Sequence, residues 1–158
     1  MMLINFKNYH ESTGKNAIKI AKIAEKVAEE LNVNISIAPS LIDLAKVKEN
    51  VSIPVYAQHA DAINYGSYTG QILLENIKEY GIDGTMVNHS ERNILIKDIE
   101  FIVKKAKALN MKTMVCASTS NISGALAIFN PDYIAIEPPE LIGGDISVSV
   151  ARPEIITE

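Results

Sequence analysis

The chain contains 158 residues, of which 47% are hydrophobic and 22% are charged, and its formal net charge is −4. This composition is typical of a globular protein, and the length suits one substantial core, so we predict a single domain over residues 1–158. The lysines are scattered instead of gathered into one basic stripe, which argues against a nucleic-acid-binding protein. We therefore expect no nucleic acid among the partners.

Two further features of the sequence bear on the compartment. No stretch approaches the roughly 18 consecutive apolar residues of a membrane span, and the start "MMLINFKNYHE" has neither the basic region nor the apolar region of a secretion signal. The one cysteine, Cys116, cannot build an internal disulfide or a multi-thiolate metal site. We expect a cytoplasmic protein that does not bind membranes.

Short runs rich in Ile and Val alternate with longer segments of helical periodicity, which is the pattern of repeated βα units around a parallel sheet. The pattern predicts six strands: Met2 to Phe6, Ile35 to Ala38, Val55 to Ala57, Thr85 to Asn88, Thr113 to Ala117 and Tyr133 to Ile136. It predicts five helices between them: Lys15 to Leu31, Leu41 to Lys48, Gln71 to Tyr80, Asp98 to Leu109 and Ile122 to Phe129.

Capping residues support two of the predicted helices. Ser40 precedes the second helix with Asp43 three residues later, and Asp98 opens the fourth helix, whose lysines lie toward its carboxyl end. A sixth helix is predicted to begin near Pro153, because proline suits the first turn of a helix.

Two architectures share this alternation: an open doubly wound sheet and a (β/α)8 barrel. An open dinucleotide-binding sheet should carry G-x-G-x-x-G after its first strand, but the chain reads "NYHESTGKN", and its Gly-Lys pair lacks the other residues of a P-loop. In a barrel the chemistry lies at the carboxyl ends of the strands. Polar residues stand at those ends: Asn5 and Lys7 at the first strand, Asn88 to Arg92 at the fourth, and Glu137 after the sixth.

The motifs, taken in order, resemble those of the triosephosphate isomerases, specifically the compact archaeal type. The resemblance rests on "NFK", "APSLIDL", "AQHAD", "GSYTGQI", "NHSER", "VCASTSN" and "PDYIAIEPPELIGG", and it covers the whole chain. It implies a (β/α)8 barrel with about six of the eight βα units present, truncated after the sixth. It also implies interconversion of dihydroxyacetone phosphate and D-glyceraldehyde 3-phosphate through an enediolate, in glycolysis and gluconeogenesis, with no cofactor.

The resemblance assigns the catalytic roles to Glu137, His89 and Lys7. Glu137 would remove the proton next to the carbonyl, His89 would hydrogen bond to the carbonyl oxygen, and Lys7 would supply positive charge for the oxyanion and the phosphate. A carboxylate suits the first role because it can reach two neighbouring carbons in turn.

The substrate-binding residues implied by the resemblance are Asn5, Lys7 and Gly143. Asn5 would add a neutral donor to the oxyanion. The backbone N–H of Gly143 would grip the phosphate once a lid, running from Pro138 to about Val148, closes over the site and excludes water.

Several residues are expected to support the site instead of acting on the substrate. Glu91 would pair with Lys7 and hold it in place, again by resemblance. Ser90 and Arg92 are interpreted as structural hydrogen-bonding and ion-pairing groups, and Cys116 as a buried strand residue.

The remaining candidates concern metals and assembly. His10 and His59 are too isolated in the sequence to form a metal site, so no metal is expected. By resemblance, Thr69 in "GSYTG" would lie on a loop that docks near the active site of a neighbouring subunit. A homo-oligomer is therefore implied, and the archaeal-type relatives are tetramers.

The chain departs from the family pattern at three points. Where the lid usually continues with Thr-Gly, this chain has Gly143, Gly144 and Asp145, which places a carboxylate near an incoming phosphate. The glutamate that usually follows "YTG" is Gln71 here, which changes an expected contact between subunits by one charge. The seventh and eighth βα units, which carry further phosphate donors in the family, have no counterpart.

Two interpretations therefore stay open. One is a triosephosphate isomerase whose remainder is truncated or supplied by another chain, with the activity of the 158-residue chain alone left open. The other is a catalytically impaired βα fragment or assembly module of that family, without a complete phosphate site. A nucleotide-binding α/β protein ranks third because its Gly-rich fingerprints are missing.

Overall fold

The computed structural model describes residues 1–138 of the chain. Six strands are observed: β1 Met2–Asn5, β2 Ile35–Ala38, β3 Tyr56–Ala57, β4 Gly84–Val87, β5 Lys112–Ala117 and β6 Tyr133–Ile136. Five α-helices alternate with them: α1 Lys15–Leu31, α2 Leu44–Lys48, α3 Leu74–Glu79, α4 Ile96–Ala108 and α5 Ser120–Ala127. A short 3-10 helix, which the sequence pattern did not predict, spans His10–Ser12.

The strands are parallel and lie side by side in the order in which they occur in the sequence. β1 pairs with β2, and the strands from β3 to β6 form a four-stranded sheet. A parallel bridge between Ile37 and Val55 joins the two groups, and there the Ile37 amide donates to the Pro54 carbonyl at 3.0 Å. Parallel neighbours require a crossover connection, and the helices provide it.

Alternate side chains of the strands point to two different faces of the sheet. On one face, Val87 and Val115 are at most 1% exposed and belong to the main core, which the helices complete. A second, smaller cluster on the other face consists of Ala38, Tyr56, Met86 and Cys116. Leu3 of β1 and Ala135 of β6 both pack against this second cluster. Because the first and last strands contact one cluster, the sheet is curved in the manner of a barrel.

The predicted alternation of six strands and five helices is confirmed, and no bound differs by more than three residues. The capping prediction for α2 is wrong, because Ser40 to Asp43 form a turn before the helix begins at Leu44. In that turn the Ser40 hydroxyl lies 3.2 Å from the Asp43 carboxylate and caps no helical amide.

The predicted start of α4 is also wrong by two residues. The helix begins at Ile96, after Leu95 in an extended conformation, so Asp98 lies within the first turn instead of opening it. Its charge still complements the positive end of the helix dipole there. The helix predicted near Pro153 lies outside the described residues.

Candidate active site

The turn after β4 is shaped by Asn88, which has a left-handed backbone with φ of 61°. Asparagine tolerates this conformation better than most residues. Its side chain also fixes the turn, since Nδ2 donates to the Cys116 carbonyl at 3.0 Å and Oδ1 accepts from the Ile94 amide at 3.1 Å. The direction in which His89 leaves the sheet is therefore set by β5 and by the segment leading into α4.

His89 and Glu137 meet at the carboxyl ends of β4 and β6. His89 Nε2 lies 2.9 Å from Glu137 Oε1, and the side chains are 12% and 22% exposed. The other carboxylate oxygen, Oε2, accepts from the backbone amide of Ser90 at 3.1 Å. Both oxygens of Glu137 are thus hydrogen bonded to the turn that follows β4.

These contacts control the protonation of Glu137. Partial burial raises the pKa of its carboxyl group, but the hydrogen bonds from the His89 ring and the Ser90 amide favour the ionised form and outweigh burial. The net result is a pKa below the ordinary value for glutamate. Glu137 is therefore a carboxylate at neutral pH, which is the form required of a general base.

The tautomer of His89 follows from its hydrogen bonds. Its Nδ1 atom accepts from the backbone amide of Glu91 at 3.2 Å, so Nδ1 carries no proton in this arrangement. The ring proton then resides on Nε2, where it is donated to the Glu137 carboxylate. A neutral imidazole held in this way presents an N–H donor toward the interior of the site.

Lys7 reaches the same region from the end of β1. Its ammonium group lies 3.0 Å from Oε1 of Glu91, and their side chains are 25% and 56% exposed. The hydrogen bond to Glu91 is the main reason that the pKa of Lys7 is raised above its ordinary value. Because Glu91 also stands beside His89, one short turn holds the imidazole and anchors the cation.

Gln58, which follows β3, was not identified from the sequence. Its amide Nε2 lies 3.3 Å from Asn5 Oδ1, 3.2 Å from the Lys7 carbonyl and 3.1 Å from the Ala38 carbonyl. Asn5 Oδ1 also accepts from the Lys7 amide at 3.0 Å. Gln58 thus ties together the ends of β1 and β2. The signal that could have found it was its place in "AQHAD", directly after a predicted strand.

Several cavities open beside these side chains, and two of them have both Lys7 and His89 in their linings. One, of about 680 Å³, is lined by residues that include Asn5, Lys7, Gln58 and His89. The other, of about 310 Å³, reaches the inner face of the sheet and includes Lys7, His89, Cys116 and Glu137 in its lining. Cavities of this size accommodate small-molecule ligands.

The supporting residues occupy distinct positions. Cys116 is 1% exposed, and burial together with the neighbouring Glu137 raises the pKa of its thiol. The buried hydroxyl oxygen of Ser90 has no hydrogen-bond partner among residues 1–138. Arg92 contacts Asp61, with 3.6 Å between its Nη2 and Oδ1 of Asp61.

Some predicted features lie beyond the described part of the chain. Gly143, Asp145 and most of the lid predicted from Pro138 to Val148 fall outside it, so the site is described from the strand ends alone. Within residues 1–138, no group of three or more His, Cys, Asp or Glu side chains is arranged to hold a metal ion. No helix in that part of the chain is long and apolar enough to cross a membrane.

A curved parallel βα sheet with an imidazole–carboxylate pair at its carboxyl end defines an α/β-barrel protein with an acid–base site. Residues 1–158 match the family model described as triosephosphate isomerase. The triosephosphate isomerase of Methanocaldococcus jannaschii is 53% identical over 156 residues, which are 99% of this chain and 71% of that protein.

Two further relatives carry the same name. The triosephosphate isomerases of Methanobacterium bryantii and Archaeoglobus fulgidus are 49% and 47% identical over 156 residues, covering 99% of this chain and 69% and 70% of their own lengths. The chain belongs to the triosephosphate isomerase family. The expected (β/α)8-barrel class is thereby confirmed.

Proposed function

We propose that the protein is an isomerase that interconverts dihydroxyacetone phosphate and D-glyceraldehyde 3-phosphate, with Glu137 as the base. The observation that carries this proposal is the 2.9 Å contact between His89 Nε2 and Glu137 Oε1 at the carboxyl end of the sheet. The membership of the family supports the choice of substrate. The isomerisation needs one base and one hydrogen-bond donor acting on neighbouring atoms, and Glu137 and His89 can serve as the base and the donor.

The proton transfer starts on a substrate C–H next to the carbonyl. Glu137 takes this proton, while the Nε2–H of His89 donates to the carbonyl oxygen and stabilises the enediolate that forms. The protonated Glu137 then returns the proton to the neighbouring carbon. For the oxygens to balance, His89 Nε2 gives its proton to the former carbonyl oxygen and takes the proton of the neighbouring hydroxyl, which becomes the new carbonyl. A neutral His89 can do this because its Nδ1 accepts from the Glu91 amide, which leaves the proton on Nε2.

Lys7 and Asn5 complete the proposed charge distribution. The ammonium group of Lys7 would stabilise both the enediolate oxygen and the phosphate dianion, and Glu91 holds it beside the cavity. Asn5 Oδ1 is already engaged by Gln58 and the Lys7 amide, so the Asn5 NH2 group is the part left to face a ligand. We keep Gly143 as a proposed backbone donor to the phosphate.

The assembly and location are part of the proposal. We propose that residues 1–158 act as a single domain, that the protein forms a homo-oligomer and that it works in the cytoplasm. The side chains of Tyr65 and Tyr68 are 71% and 51% exposed in the loop between β3 and α3, which gives an apolar surface for a neighbouring subunit. Sedimentation of the purified protein tests the oligomer.

The direct test is an assay of the 158-residue protein in both directions of the reaction. We expect turnover of glyceraldehyde 3-phosphate, and a far lower kcat/KM for glyceraldehyde, which lacks the phosphate that Lys7 would bind. A folded protein that turns over neither compound contradicts the proposal and favours the impaired fragment instead. Equal kcat/KM for the two compounds contradicts the role of the phosphate.

A further inference from the structure

Asp61 is the last residue of "AQHAD" and has no role assigned by the family resemblance, yet its carboxylate and backbone amide make four contacts beside the site. Its Oδ1 lies 3.1 Å from His59 Nε2 and 3.6 Å from Arg92 Nη2. Its Oδ2 accepts from the Ile72 amide at 2.6 Å, and its own amide donates to the Ile72 carbonyl at 2.8 Å. Asp61 therefore holds together the two ends of the loop over residues 61–72, and its carboxylate contacts two basic side chains.

The contact with Arg92 connects Asp61 to His89. The Arg92 amide donates to the His89 carbonyl at 2.7 Å, so His89 and Arg92 are the first and last residues of one tight turn. This turn also carries the Ser90 and Glu91 amides, which bind Glu137 and His89 Nδ1 respectively. A displacement of Arg92 would therefore also move the His89 imidazole and the amide that binds Glu137.

The other basic side chain that contacts Asp61 is His59, which is buried beside the site. His59 is 4% exposed and lines the larger cavity together with His89 and Arg92. Burial lowers the pKa of His59, and the carboxyl pKa of Asp61 is held low by the Ile72 amide and the His59 ring, although burial opposes this. At neutral pH a charged Asp61 therefore faces the charged Arg92.

We propose that Asp61 is a positioning residue that orients His89 by holding Arg92 at the far end of the His89–Arg92 turn. Within residues 1–138, Asp61 is not part of the lining of either cavity, so it acts on the reaction through residues that it contacts, and Arg92 is the one that belongs to the His89 turn. This inference rests on the proposed isomerase function. The segment after β3 would then orient the His89 ring through Asp61, and Gln58 in the same segment donates to the Lys7 carbonyl.

Asp132 offers a matched control at the opposite end of the sheet. It also pairs with a basic side chain, with 2.7 Å between its Oδ1 and Lys112 Nζ, and it also accepts from a backbone amide, that of Thr113, at 2.9 Å. Asp132 lies at the amino end of β6, whereas the site lies at the carboxyl ends of the strands. Asp132→Asn therefore removes a similar ion pair and weakens a similar hydrogen bond from a backbone amide, without touching the turn.

The test compares Asp61→Asn, Arg92→Gln, the double variant and Asp132→Asn in the 158-residue protein. We expect kcat to fall by roughly threefold to fivefold in Asp61→Asn, since Arg92 is largely exposed. KM should change far less, because a misoriented donor affects the transition state more than binding. Arg92→Gln should lower kcat as well, and the double variant should be no worse than the poorer single variant. Asp132→Asn should keep the wild-type kcat.

A second measurement does not depend on activity. The ring resonances of His89, followed by NMR with labelled histidine, should shift in Asp61→Asn and in Arg92→Gln but not in Asp132→Asn. If the wild-type protein has no isomerase activity, the proposed function fails, and the His89 resonances still decide the positioning.

Three results would overturn the inference: a wild-type kcat with unchanged His89 resonances in Asp61→Asn, additive losses in the double variant, or an equal loss in Asp132→Asn. If Asp61→Asn does not fold, Arg92→Gln decides, because its side chain is 56% exposed and lies outside the core. Wild-type kcat and unchanged resonances in that variant overturn the inference as well.

Discussion

His89 Nε2 and Glu137 Oε1 lie 2.9 Å apart, so the proposed electrophile and the proposed base hydrogen bond to each other. In the reaction the carboxylate has to reach a substrate C–H and the imidazole has to reach a carbonyl oxygen. Substrate atoms must therefore come between the two side chains and replace their contact. Glu137 loses a hydrogen bond in this exchange and stays partly buried, which has a measurable consequence for its pKa.

We predict that the pKa of Glu137 rises when a phosphate-bearing analogue of the enediolate binds. Without the analogue, the donors hold the pKa below the ordinary value of 4.5. With it, the His89 bond is lost, while burial and the negative charge of the analogue both favour the protonated form. Carbon-13 NMR titration of labelled glutamate measures the shift. An unchanged Glu137 resonance in the complex would show that the contact with His89 survives binding.

The same contact has an expected effect on stability. Because the pKa of Glu137 in the folded state is below 4.5, the stabilisation is fully present above that value and is lost as the pH falls through the folded-state pKa. In His89→Ala the pKa should move up, since burial remains and one donor is gone. The variant should then be less stable than the wild type above that value, lose less stability as the pH falls, and approach the wild type at low pH, as measured by urea unfolding at each pH. Superimposable curves would contradict this role of His89.

We predict that Glu91→Gln weakens binding of phosphate-bearing inhibitors less than Lys7→Met does. Lys7→Met removes the cation itself, whereas Glu91→Gln removes only the carboxylate that holds it, and Glu91 is 56% exposed. Exposed ion pairs contribute about 1 kcal/mol or less, so the inhibition constant should rise by roughly fivefold or less in Glu91→Gln. Glu100→Gln, in an exposed ion pair on α4, is the control. Equal losses in the Lys7 and Glu91 variants would mean that Lys7 does not contact the phosphate.

The strand and helix pattern could be predicted from the sequence because it depends on local composition. Runs such as "GTMV" are buried on both faces, and each helix has one apolar face, so both signals are visible without partners. The placement of His89 and Glu137 at the same edge followed from parallel strands, whose carboxyl ends coincide. The helix starts predicted at Ser40 and Asp98 were wrong because Ser and Asp occur in turns and first helical turns as well as at caps. The sequence pattern does not distinguish these positions.

Other features depend on contacts between distant segments, which local patterns do not encode. Gln58 acts through carbonyl groups of β1 and β2, and Asp61 contacts Arg92 from 31 positions away in the numbering of the chain. The direct contact between His89 and Glu137 likewise depends on how far the sheet curves between β4 and β6. The roles of these residues stay predictions until the variants are measured.

We predict that Asn88→Ala destabilises the protein more than Asn88→Gly. Both changes remove the two side-chain hydrogen bonds, at a cost of about 2 kcal/mol. Alanine adds a penalty of about 1 kcal/mol, since the backbone φ of 61° suits glycine and asparagine better. Urea unfolding gives the values. Asn32→Gly is the control, because Asn32 ends α1 with φ of 52° and glycine is favoured there. Equal stabilities of the two Asn88 variants would contradict the backbone argument.

We predict opposite effects of alanine at Gly84 and Gly124. A Cβ atom at Gly84 would lie 2.5 Å from the Lys112 carbonyl oxygen and 2.5 Å from the Tyr56 ring, and the carbonyl belongs to the neighbouring strand. Gly84→Ala should therefore cost about 1–3 kcal/mol. Gly124 lies in α5, and a Cβ atom added there would meet no packed neighbour within 4 Å among the described residues, so Gly124→Ala should stabilise by about 1 kcal/mol. Thermal unfolding of both variants checks the pair, and a neutral Gly84→Ala would mean that β4 and β5 can separate.

The measurement that tests the central claim most directly is deuterium incorporation from D2O during isomerisation by the wild type and Glu137→Gln. If Glu137 transfers the proton, the wild type should place solvent deuterium on the carbon next to the carbonyl of the product. Glu137→Gln should lose exchange and turnover together by several orders of magnitude while keeping its fold, because the amide preserves the shape but cannot accept the proton. Wild-type rates of exchange in Glu137→Gln would contradict the account.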